Sequence, residues 1–139
     1  MADLAPTPAN VLKYSGSTAR AGTAGETIVA GDVLYLDSTT STLKLALADT
    51  AAHAAAVGIA LNGGAAGQPV TYLAAGGINP GVGETLVLGT CYCVSDNAAG
   101  KIAPIADISS EKYVTSLGFA TTTTRIEVDI NATGVAVPT

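Results

Sequence analysis

The chain has 139 residues, of which 48% are apolar and 12% charged, with 16 glycines and a formal net charge of −5. Area scaling gives a chain of this length roughly 6,500 Å² of surface folded against about 20,000 Å² unfolded, so it buries enough to form one real core and is neither several domains nor charge-disordered. The acidic balance, without a basic block, speaks against nucleic acid as a primary ligand; the longest mostly apolar run, 54–61, is far short of the roughly 20 residues a membrane-spanning helix needs.

Residues 1–24 carry Pro6, Pro8, Gly16 and Gly22 among Ser, Thr and Ala, with Leu4, Val11, Leu12 and Tyr14 as the sizeable apolar groups. Neither a helical nor a strand period is sustained there, so an extended N-terminal arm is expected. Fully stretched it reaches about 80 Å and can touch a neighbour that the body cannot. The start has no basic region followed by an apolar run, so a secretory signal is not expected.

From Gly25 the sequence repeats itself. Gly25-Glu26-Thr27-Ile28-Val29-Ala30-Gly31 returns 58 positions later as Gly83-Glu84-Thr85-Leu86-Val87-Leu88-Gly89. The match continues in order: Val33-Leu34-Tyr35-Leu36 with Cys91-Tyr92-Cys93-Val94, Asp49 with Asp107, Val57-Gly58-Ile59-Ala60 with Leu117-Gly118-Phe119-Ala120, and Val70-Thr71-Tyr72 with Ile126-Glu127-Val128. Ordered recurrence of several segments argues for duplication of one β-unit, over about 25–80 and 83–137.

Val- and Thr-rich runs of four to six residues, punctuated by glycine, predict strands near 27–30, 32–37, 43–47, 56–61, 69–74, 85–88, 90–95, 101–104, 112–120 and 124–130. The one helix candidate, 49–56, is Ala-rich but marginal alone. Strands at this spacing predict an all-β domain over 25–139, a β-sandwich built from two duplicated halves. A double-Greek-key jelly roll fits the count; two small barrels are the alternative.

The chemistry-bearing residues are sparse. His53 is the single histidine and no nucleophile turn surrounds a serine or cysteine, so no catalytic triad is expected. Glu26 and Glu84 recur as a pair, but each follows a glycine at a strand entrance, where a turn role is the commoner one. Gly25, Gly31, Gly83 and Gly89 are read with them as turn residues of the repeat. Cys91 and Cys93 share one strand face; a mutual disulfide would be strained, a metal site would need two more ligands, and small buried thiols are the expected role. Thr121-Thr122-Thr123-Thr124 reads as a strand edge or tight loop. No cofactor, metal or reaction is expected, hence no enzyme.

So little charge leaves small apolar residues and threonine to cover the outside, a surface suited to being covered by other chains. Four stretches then carry a resemblance: Gly31-Asp32-Val33-Leu34-Tyr35-Leu36-Asp37, Ala54-Ala55-Ala56-Val57-Gly58-Ile59-Ala60-Leu61-Asn62-Gly63, Gly67-Gln68-Pro69-Val70-Thr71 and Tyr113-Val114-Thr115-Ser116-Leu117-Gly118-Phe119-Ala120. In order and spacing they resemble the head decoration, or capsid cement, proteins of tailed bacteriophages; Cys91-Tyr92-Cys93 departs from the valine-rich strand expected there. The resemblance implies a structural virion protein, made in the host cytoplasm, that binds the outside of the mature head and stitches the major capsid protein lattice. Its partners would be that capsid protein and itself, as a homodimer first and a homotrimer second, with neither nucleic acid nor membrane. Leu4, Val11, Leu12 and Tyr14 of the arm would be the capsid contacts. The competing expectation is a receptor-binding or tail-fibre β-module.

Overall fold

A computed structural model describes residues 3–4, 6–82, 85–109 and 112–136. Its accessible surface, 6451 Å², is the value area scaling anticipates for one compact unit. Among the described residues ten strands form in chain order: β1 (Leu12–Lys13), β2 (Thr18–Thr23), β3 (Val33–Asp37), β4 (Thr42–Leu45), β5 (Ala56–Ala60), β6 (Pro69–Asn79), β7 (Cys91–Val94), β8 (Ile102–Pro104), β9 (Tyr113–Ala120) and β10 (Ile126–Ala136). The α-helix of the described residues, α1 (Ala51–Ala54), lies inside the predicted helical stretch; the Thr50 hydroxyl accepts from His53 N and caps it.

All ten strands belong to one curled antiparallel sheet with the path β4-β3-β5-β6-β10-β9-β7-β8, and β1 and β2 pair with β6 beside it. The all-β class is therefore present, but the ladder runs unbroken through the β6–β10 pair instead of dividing into two sheets. From that central pair outward, each side carries the same series: β5, β3, β4 on one flank and β9, β7, β8 on the other. A bulge recurs in kind. Leu34 pairs with Gly58 and Tyr35 with Ala56, while Tyr92 pairs with Gly118 and Cys93 with Ser116, skipping Val57 of β5 and Leu117 of β9.

Two predicted strands, 27–30 and 85–88, are not strands. Ile28 makes a single bridge to Gly64, and the chain then turns at Val29–Asp32, where Asp32 N donates to Val29 O at 3.2 Å. Thr90 N donates to Val87 O at 3.1 Å in the matching turn. Gly31 and Gly89 supply the positive φ these turns require, +95° and +77°. One large apolar residue of each stretch plugs the core instead: Ile28 and Leu86 are buried, while Val29, Val87 and Leu88 stay exposed.

The expected free arm lies along the body. β2 pairs with the first half of β6, from Thr23 opposite Pro69 to Thr18 opposite Ala75, and β1 pairs with its end. Upstream, Leu4 N donates to Ile102 O on β8 at 2.8 Å; downstream, Gly25 N donates to Leu43 O on β4 at 2.8 Å. β8 and β4 end the sheet path, so this segment covers backbone groups on both edges that would otherwise template pairing with another chain.

Two apolar clusters result. The main one joins Leu4, Val11, Val33, Ile59, Leu73, Ile78, Tyr92, Leu117, Ile126 and Val128; the second packs Ala24 and Ile28 over Leu34, Leu43, Ala60 and Val70. Val33 and Leu34 are neighbours on β3 and point to different clusters, so the β3–β5–β6 flank is buried on both faces. The β7–β9–β10 flank contributes Tyr92, Ala120 and Ile126 to the main core and leaves much of its other face open.

Candidate functional site

Of the four arm residues singled out as contacts, Leu4 and Val11 are filled into the main core and cannot also meet a neighbour in this arrangement. Leu12, on β1, is 62% exposed, and Tyr14 is half-buried. A cavity of about 310 Å³ opens beside Leu12, between the arm and the threonine loop, lined among others by Asn10, Asn79, Val82, Thr123 and Thr124. Thr121–Thr124 form the exposed turn between β9 and β10.

The repeat residues are framework. Gly31 N donates to Ala60 O and Gly89 N to Ala120 O, each tying its turn to the last residue of the paired strand. Glu26 accepts the Leu45 amide at 3.0 Å and so holds the chain against β4. Gly83 and Glu84 lie outside the described residues. Asp32 is buried, accepts Val29 N at 2.9 Å, and has its pKa pushed above the ordinary carboxylate range by desolvation, against the pull of that hydrogen bond and of Lys101.

His53 has a companion that spacing alone did not supply. Its Nδ1 meets Asp49 Oδ1 at 2.9 Å, one helical turn away, and its ring lies 5.3 Å from that of Tyr35. Nearby, Lys44 pairs with Asp37 at 2.9 Å, which lowers the Asp37 pKa and raises that of Lys44. Among the described residues no group of three or more His, Cys, Asp or Glu side chains is placed to hold a metal ion.

Cys91 and Cys93 are free thiols 3.9 Å apart, Cys91 also 3.3 Å from Ser116 Oγ. Cys93 is fully buried, and desolvation, with Cys91 beside it, pushes its pKa up to about 12. Such a thiol is inert as a nucleophile.

The most organised surface is a row that crosses the sheet on the open face. Register places Cys91, Phe119, Glu127 and Gly77 side by side across β7, β9, β10 and β6, and Tyr14 N continues the row by donating to Gly77 O at 3.0 Å. Arg125 lies along it: Nη2 and Nε donate to Glu127 Oε2 at 2.9 and 3.1 Å, and its Cζ sits 4.7 Å from the centre of the Tyr14 ring. Glycine at 77 makes this possible, because a Cβ there would come within 2.6 Å of Arg125 Cζ. Beside this clasp Phe119, the only phenylalanine, is 54% exposed, and Leu88, on the turn bonded to Ala120, is 60% exposed.

No protein-family model matches the chain, and no curated protein matches it. Sequence reasoning missed Phe119, Leu88 and Arg125. Phe119 aligned with Ile59, a core residue, so it read as core. The available signal was the alternation Ile126-Glu127-Val128-Asp129, which marks one face of β10 as outward; locating Phe119 on it needs the register.

Proposed function

We propose that this chain is a structural, non-catalytic virion component: a decoration protein that covers the outside of a mature tailed-phage head and clamps its major capsid protein lattice. One observation carries the reading. In a chain with only 12% charged residues, Leu12, Val29, Leu36, Val87, Leu88, Ile105, Phe119 and Val135 are all left exposed. That surface costs little to desolvate and gains by being covered. Consistent with the reading, the resemblance-bearing stretches build the frame: 31–37 makes the Asp32 turn and β3, 54–63 runs through β5, and 113–120 is β9. The matching flanks, bulges and turns support duplication of one β-unit as its origin, with the curled sheet as the form two fused units take.

The mechanism follows from linkage. A protein that binds only the expanded lattice stabilises that state by mass action, and many modest contacts per shell add up through avidity. Leu12 and its cavity are the part of the former arm still available to a capsid subunit. Quantitative gels of purified particles test the reading. Hundreds of copies on heads support it; a handful on tails would favour a receptor-binding fibre module and overturn it.

A further inference from the structure

We propose that the Phe119 face is a self-association surface, on which a second copy of this chain packs across a two-fold axis. The comparison of the two flanks motivates it. On the first flank the row Val33, Ile59, Leu73 runs across β3, β5 and β6 and is completely buried in the main core. Its counterpart on the second flank is Cys91, Phe119, Glu127, with the same pairings across β7, β9 and β10, and there the described residues leave Phe119 more than half exposed. The same strand surface is thus buried once and open once.

Charge selects the occupant. An acidic chain repels its own copies, so a self-contact has to sit where charge is locally balanced. On this face Arg125, which immediately precedes β10, offsets Glu127, so that exposed Asp129, two residues further along, leaves a single net negative charge. A two-fold contact must also be self-complementary, and a face that carries both signs can meet that condition when the axis passes between Arg125 and Glu127. Tyr, Arg and an exposed aromatic side chain form the composition of an interface centre. Arg125 is already held by Tyr14 and Glu127, so docking orders little that was free.

This inference deepens the lattice reading and rests on it for the expectation that copies meet, yet its test needs no capsid. Sedimentation velocity of the intact protein over a concentration series should show a monomer–dimer equilibrium. Phe119→Glu should raise the dissociation constant at least about 30-fold with an unchanged melting profile. Should that variant unfold, Glu127→Lys, at the exposed residue paired with Phe119 in the same row, decides in its place. A short bis-maleimide should link the Cys91 thiols of two copies, Cys93 being too buried to react. A wild-type monomer at millimolar concentration, a dimer indifferent to the folded variant, or a dimer without the Cys91 link would each overturn the inference. None of these results bears on particle occupancy: a head-bound monomer would sink this inference alone, and a dimer absent from heads would sink the lattice reading alone.

Discussion

Gly31 and Gly89 occupy matching turns and differ in what surrounds them. A Cβ at Gly31 would lie 2.7 Å from Pro6 Cβ, whereas at Gly89 nothing lies within 4 Å. Gly89→Ala therefore meets only the left-handed backbone penalty, about 1–2 kcal/mol. Gly31→Ala adds a clash with the N-terminal segment, of the order of 1–3 kcal/mol more. Urea midpoints of the two variants check the ordering, and equal losses would contradict the packing of Pro6. Asp32 gives a pH prediction of definite sign. Its folded-state pKa is raised by burial, so the native state holds the proton more tightly than the unfolded chain. The stability this contributes is complete below the ordinary value of 3.8 and is lost as pH rises through the folded pKa. Asp32→Asn should flatten that fall, and pH-resolved denaturation profiles parallel to wild type would refute it.

The N-terminal strands are held by few buried side chains. All six residues of β2 are exposed except Gly22, and both residues of β1 are exposed, so their pairing to β6 depends on backbone bonds and on the Arg125 clasp over Gly77. Exposed ion pairs contribute little to global stability, about 0.2–1 kcal/mol. Arg125→Ala should thus leave the melting temperature nearly unchanged while speeding hydrogen exchange at Tyr14, whose amide bonds Gly77 O. Uniform exchange rates across wild type and variant would show that the clasp does not hold β1. A buried bond between elements behaves differently. The Thr115 hydroxyl donates to the Ala54 carbonyl and ties β9 to α1. Thr115→Val strands that carbonyl and should cost about 1–3 kcal/mol, read from chemical denaturation.

Across the whole molecule, the segment that precedes the repeat completes the fold. Leu4 and Val11 sit in the main core, and its two ends bond the outermost strands β8 and β4. Removing residues 1–14 should therefore lower thermal stability, since losing each buried aliphatic side chain costs about 2–5 kcal/mol. Attachment to a partner is better probed by Leu12→Glu, which changes an exposed side chain beside the cavity: reduced head occupancy at unchanged melting temperature is expected, and full occupancy would remove Leu12 from the contact.

Much of the framework was readable from residues alone. Glycine-punctuated Val and Thr runs located β3, β4, β5, β7, β8 and β9, and the Gly-Glu-Thr repeat located two equivalent turns, because strand alternation and positive-φ glycines act over a few residues. The same local rules misread 27–30 and 85–88, where apolar residues plug the core from turns. They also left the arm free, because β1 and β2 form only when β6 offers its side. The paired stretches Val57-Gly58-Ile59-Ala60 and Leu117-Gly118-Phe119-Ala120 mark the limit most clearly. Alternation in a strand assigns residues to two faces and fixes which side chains share one. Which face is covered depends on what the rest of the chain brings against it, and only the tertiary structure buries Ile59 and leaves Phe119 exposed.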